Sequence, residues 1–172
     1  VRGNLTDHYD PAHKVLRLSD SVYSSTSLAA IGVAAHETGH AVQHSVGYAP
    51  LGLRSAMVPL TNISSRLAMP LIFLGVIFGS SRGSDFGYMF IQGGIILFAM
   101  AVLFSVVTLP VEFNASARAV KMLGNYGILS TDELKPVKQV LSAAALTYVA
   151  AALSAIMSLL RLILIFGRRD DR

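Results

Sequence analysis

The chain contains no cysteine and no tryptophan, and only 14% of its 172 residues are charged. Without cysteine there is no disulfide framework and no thiolate metal site, so any metal must be held by nitrogen and oxygen donors. So few charges beside 53% hydrophobic residues argue against an ordinary soluble globule of this size. Asp and Glu together number ten, so each acid near an apolar stretch calls for an explanation. Basic residues are scattered and the net charge is only +4, which excludes a nucleic-acid surface. The Arg168, Arg169 and Arg172 tail reads as an interfacial anchor. There is no secretory signal, and the chain starts at Val1, so a preceding N-terminal anchor is expected outside this sequence.

The hydrophobic excess sits in three runs. Residues 57–79 are apolar apart from a polar patch at Thr61–Arg66 and could begin in the amphipathic Leu53–Arg66 stretch; 88–109 has no charge at all from Met89 on. The third, 140–166, carries only Arg161, near its end. Each is long enough to cross a bilayer, and so short a chain cannot bury three such helices in its own core. One membrane-embedded domain over 1–172 follows. Residues 1–56 and 110–139 lie on the functional side, 57–109 form a transmembrane hairpin, 140–166 a third span, and 167–172 the basic tail.

Between Ser27 and Val46 the sequence has no proline and is largely small and apolar, yet it carries His36-Glu37-Thr38-Gly39-His40. Two imidazoles four residues apart share one helical face and can reach one ion. With one further protein donor, zinc would keep an open position. Glu37 projects beside the pair, where a carboxylate can take a proton from an attacking water and pass it to a leaving amine. A carboxylate and two imidazoles are costly in an apolar helix unless a cation gives them partners.

Glu112 is the expected third ligand. A hairpin leaving the HExxH side must return to it, and Glu112 follows the predicted end of the second span at Leu109-Pro110. Ala115, Ser116 and Ala119 then offer a small face for close packing. Ser130-Thr131-Asp132-Glu133 reads as a capping box opening the last helix. His44 lies too far along the helix to share the ion and reads as a supporting or packing histidine. His8 and His13 flank a turn at Tyr9-Asp10-Pro11-Ala12. The alternating run that follows predicts an edge strand, with Val15, Leu16, Arg17 and Leu18 as residues that could pair with extended substrate.

Taken together, LTDHYDPAHKVLRLSDSVY, GVAAHETGHAVQH, LPVEFNASARA and LSAAALTYVAAALS make the chain resemble, over essentially its whole length, the bacterial neutral zinc metallopeptidases, the YugP-like membrane proteases. The layout is similar to that of HtpX-type membrane proteases, which also insert a transmembrane hairpin between HExxH and a ligating Glu. The resemblance implies a mainly α membrane protein with a zincin-type helix, a short N-terminal hairpin or edge strand, zinc on His36, His40 and Glu112, and Glu37 as base. It also implies an additional N-terminal transmembrane segment. One departure stands out. Such zincins carry an acid four residues after the ligating Glu, and here that position is Ser116. Support for the histidines must then come from Asn114, Ser116, Asp7 or Asp10.

These readings converge on a membrane-bound zinc endopeptidase acting on peptides or unstructured protein segments. Arg118, His44, Tyr9 and Tyr148 are the oxyanion candidates. Two alternatives compete: a non-catalytic scaffold stapled by zinc, closed by His44 or His8, and an intramembrane-cleaving protease. The latter takes its third ligand from an Asp in a membrane helix, and no apolar run here has one. Arg54, Arg118, Lys121, Lys135 and Lys138 outweigh Arg82 and the tail, which favours a cytoplasmic active site in the cell membrane. A regulatory membrane partner or a second copy of the chain is left open.

Overall fold

A computed structural model describes residues 1–79 and 85–166. The element order is β1 (His8–Asp10), β2 (Val15–Arg17), α1 (Asp20–Tyr23), α2 (Leu28–Ser45), α3 (Ala49–Gly79), α4 (Asp85–Asn125) and α5 (Thr131–Phe166). Residues 80–84, between the first two expected spans, lie outside the described residues, and α4 already begins at Asp85, ahead of the expected start at 88. The arginine tail also lies outside them. The chain forms two compact units, Val1–Gly52 with Thr108–Tyr148, and Leu53–Val107 with the chain from Val149 on.

In the first unit, β1 and β2 pair antiparallel with His8 opposite Arg17 and Asp10 opposite Val15. The turn is built by Asp10, whose carboxylate accepts from the Ala12 and His13 backbone N–H groups at 3.0 and 3.2 Å. That is an Asx turn, and it is closed by Lys14 in the left-handed region. The same carboxylate accepts from His13 and Arg17. These bonds, His13's first, hold its carboxyl well below the usual carboxylate range.

Helix α2 begins where Ser27 accepts from the Ala30 N–H at 3.2 Å. It is half-buried, with only Ala30, Gly32, Gly39, His40 and Gln43 fully enclosed. Ala119, Leu123, Leu129, Val137 and Leu141 form the core of this unit, with Leu28, Ile31 and Ala35 of α2 packed on it. The predicted capping box is present: Glu133 accepts from the Ser130 N–H and hydroxyl, each at 2.8 Å. The helix it opens runs without a break to Phe166.

The second unit contains the hairpin of α3 and α4. A side chain at Gly94 would collide with the Ala68 carbonyl oxygen and the Ile72 side chain, and one at Gly87 with the Gly79 backbone. Such small contacts let two apolar helices approach without a water-driven force between them. Helix α3 is continuous from Ala49 and so joins the amphipathic Leu53–Arg66 stretch to the apolar residues after it.

The helix of the second apolar run is expected to end at Leu109-Pro110, but α4 continues through Pro110 to Asn125. Proline removes one hydrogen bond and crowds the preceding turn, but flanking turns keep the helix intact. Its 41 residues would reach about 60 Å, about twice a hydrocarbon layer. Among the described residues, three helices, α3, α4 and α5, are long and apolar enough to cross a membrane. Leu67, Phe73, Ile96, Leu153 and Leu164 are among their exposed apolar side chains.

Candidate metal centre

Helix α2 and the second half of α4 meet within the first unit. Gly39 allows it: any side chain there would strike the backbone of Ala115, mainly its carbonyl oxygen. Ala115 and Ala119 are fully buried, so the small face expected after Glu112 is used for close packing. That contact brings Glu112, only 2% exposed, to the two histidines of α2.

His36 Nε2 lies 3.1 Å and His40 Nε2 3.6 Å from the same Glu112 oxygen, Oε2. The rings meet edge to face with centroids 4.8 Å apart. The far nitrogens are held elsewhere: His36 Nδ1 is 3.0 Å from Ser116 Oγ, and His40 Nδ1 is 2.9 Å from Gln43 Oε1. Donor atoms of the three residues lie within 4.8 Å of one another, and the described residues offer no other such group. In tetrahedral zinc sites, neighbouring donors sit about 3.4 Å apart at ordinary bond lengths. The two nitrogen–oxygen spacings bracket that value, so these three residues could hold a metal ion. Burial pushes the His40 imidazole down, but the hydrogen bond and charge of Glu112, with Gln43 behind the ring, hold its pKa above the ordinary value. The field that favours a proton on that ring also favours a cation beside it.

Glu37 flanks the cluster. Its Oε2 accepts from the Tyr9 backbone N–H of β1 at 2.9 Å. Together with His36, Glu112 and Ser116 it lines a cavity of about 200 Å³, walled by Val33, Leu141, Ala144, Ala145 and Tyr148.

The other sequence candidates are spread around this centre. The Tyr9 hydroxyl is 2.8 Å from His44 Nδ1. Arg118 donates to Asn114 Oδ1 at 2.7 Å and lies over the Tyr48 ring. Tyr148, of the four oxyanion candidates, lines the cavity. His8 Nδ1 is 2.8 Å from the Thr6 carbonyl, and neither His8 nor His44 joins the three donors. Val15, Leu16, Arg17 and Leu18 do not line the cavity. Leu16 lines a separate apolar one with Ile31, Ala35 and Thr38, on a different face of α2. The backbone that reaches Glu37 belongs instead to β1, because β2 pairs on the side of β1 away from that carboxylate.

Of the four expected supports, Ser116 contacts a histidine directly. Asn114 does so only through Gln43, Asp7 is used on Ser19, and Asp10 on the turn. Gln43 was missed by sequence reasoning. The available signal was its place three residues after His40, an uncharged polar side chain in an apolar helix.

Over residues 1–167 the chain matches the family described as "Putative neutral zinc metallopeptidase". It is similar to the "Putative membrane protease YugP" of Bacillus subtilis (strain 168), 51% identical over 173 residues, covering 99% of this chain and 73% of that protein. No solved structure matches it.

Proposed function

The chain belongs to the neutral zinc metallopeptidase family, and from that premise we propose a membrane-bound zinc endopeptidase with His36, His40 and Glu112 as ligands and Glu37 as general base. The observation that carries it is the convergence of both Nε2 atoms on one buried carboxylate oxygen. When bound, zinc supplies Lewis acidity toward a peptide carbonyl and makes a nearby water more acidic. The residues do the rest. Glu37 takes the proton of the attacking water and returns it to the departing amine. Ser116 and Gln43 keep the rings oriented. The apolar wall of Val33, Leu141 and Ala144 suits an aliphatic or aromatic substrate side chain next to the scissile bond.

Substrate strand addition moves from β2 to β1. The Tyr9 N–H that now serves Glu37 lies on the edge of β1 away from β2, so an extended peptide joining that edge would also release the Glu37 carboxylate for proton transfer. An oxyanion donor from Tyr148 fits best, since it shares the cavity with the base. A zinc-stapled scaffold would need a fourth protein donor, and neither His44 nor His8 supplies it.

As a membrane protein with three spans, the chain crosses twice between His40 and Glu112, so both lie on one membrane face, taken as cytoplasmic from the basic residues. The test is cleavage of an unstructured peptide by the detergent-solubilised chain. Activity should vanish on zinc removal, return with zinc, and fall about 10²–10⁴-fold in Glu37→Gln with zinc retained. Near-normal turnover of Glu37→Gln would overturn the mechanism.

A further inference from the structure

Gln43 is fully buried, although its amide has an acceptor and two donors to satisfy. It sits at the inner end of a chain of hydrogen bonds whose directions are all forced. Arg118 can only donate, so the Asn114 atom 2.7 Å from its Nε must be the carbonyl oxygen. That oxygen is 3.0 Å from one end of the Gln43 amide, and the Val111 backbone carbonyl is 2.8 Å from the same end. Two acceptors there require the NH₂ group. The Gln43 oxygen therefore faces His40 Nδ1 at 2.9 Å, and an oxygen can only accept. The hydrogen must be on His40 Nδ1.

We propose that Gln43 is a positioning residue: anchored by Val111, Asn114 and Arg118, it holds His40 as the Nδ1–H tautomer and leaves the Nε2 lone pair facing Glu112 for a metal ion. The opposite tautomer would set two lone pairs against each other in a buried site, with no water to relieve them. His36 is the opposite case: its Nε2 lies 3.1 Å from the Glu112 carboxylate, which can only accept, so without metal its hydrogen sits on Nε2 and must move to Nδ1 when an ion takes its place. The partner of Nδ1, the Ser116 hydroxyl, can rotate to donate or accept. One ligand is thus fixed before metal arrives, and the other adapts. Arg118 and Asn114, the oxyanion and support candidates of the sequence, act on this relay.

The inference rests on His40 being a ligand, and the experiment separates the two ideas. In the metal-free full-length chain, histidine ¹⁵N–¹H correlation spectra at a pH where the ring is neutral should show His40 protonated on Nδ1. Protonation on Nε2 overturns the relay without any mutation. Chelator competition should show Gln43→Leu binding zinc about 10–100-fold more weakly than the parent, as expected for a lost ligand-orienting partner. The Arg118→Met loss should be smaller, because Val111 still holds the amide. Unchanged zinc affinity in Gln43→Leu also overturns the proposal. A parent chain that is Nδ1-protonated at His40 but binds no zinc would leave the relay standing and refute the metal assignment.

Discussion

Replacing Gly39 by alanine places one methyl group where the Ala115 carbonyl oxygen and Cα already stand. The obstacle is backbone, so no side-chain rotation relieves it, and α2 and α4 must separate by several tenths of an ångström. Overpacking of this kind costs about 1–3 kcal/mol. Alanine returns about 1 kcal/mol through helix propensity, leaving a net loss of about 0–2 kcal/mol. The larger effect should fall on the metal. Ligand distances tolerate only about 0.2 Å, and the same crossing positions the Glu112 carboxylate against His36 and His40. Zinc affinity should therefore drop at least about tenfold, an expectation for chelator competition, while the melting temperature falls little. Gly32→Ala is the control on the same helix: its methyl would meet the Val137 side chain at 3.1 Å, which can shift, and zinc affinity should hold. Parent-like zinc binding in Gly39→Ala would refute the claim that this crossing sets the site.

Ala144→Phe should fill part of the cavity beside Glu37, lowering kcat/KM for large apolar residues about 10–200-fold relative to small ones, with zinc binding intact; competition between paired peptides measures it. Asp10 is depressed, so its contribution to the β1–β2 turn is fully present above the ordinary carboxylate range and lost as pH falls below it. Carboxyl NMR titration should find it well below an ordinary aspartate, and His13→Ala should raise it. Because the chain is free of cysteine, single cysteines report topology cleanly. Ser25→Cys and Ser130→Cys should label from one membrane face and Phe166→Cys from the other; labelling of Ser130→Cys and Phe166→Cys from the same face would refute the three-span reading.

Much of the site could be read from local order. The four-residue spacing of His36 and His40 puts them on one helical face, whatever surrounds them. Long, largely apolar runs announced α3, α4 and α5, and Ser130 with Glu133 announced the start of α5. Glu112 was within reach because a hairpin must bring its second helix back to the side it left. What the sequence could not decide were meetings between distant segments. Pro110 marks a helix end in local terms, yet α4 passes through it to Asn125, with Ala115 packed on Gly39 of α2. The strand edge that serves Glu37 is β1, not β2, because register and docking on α2 depend on packing and not on alternation. Gln43 looks like any polar residue on a helix until Val111, Asn114 and Arg118 are brought around it. Hydrogen-bond direction is set by neighbours far apart in the chain, and only the tertiary structure assembles them.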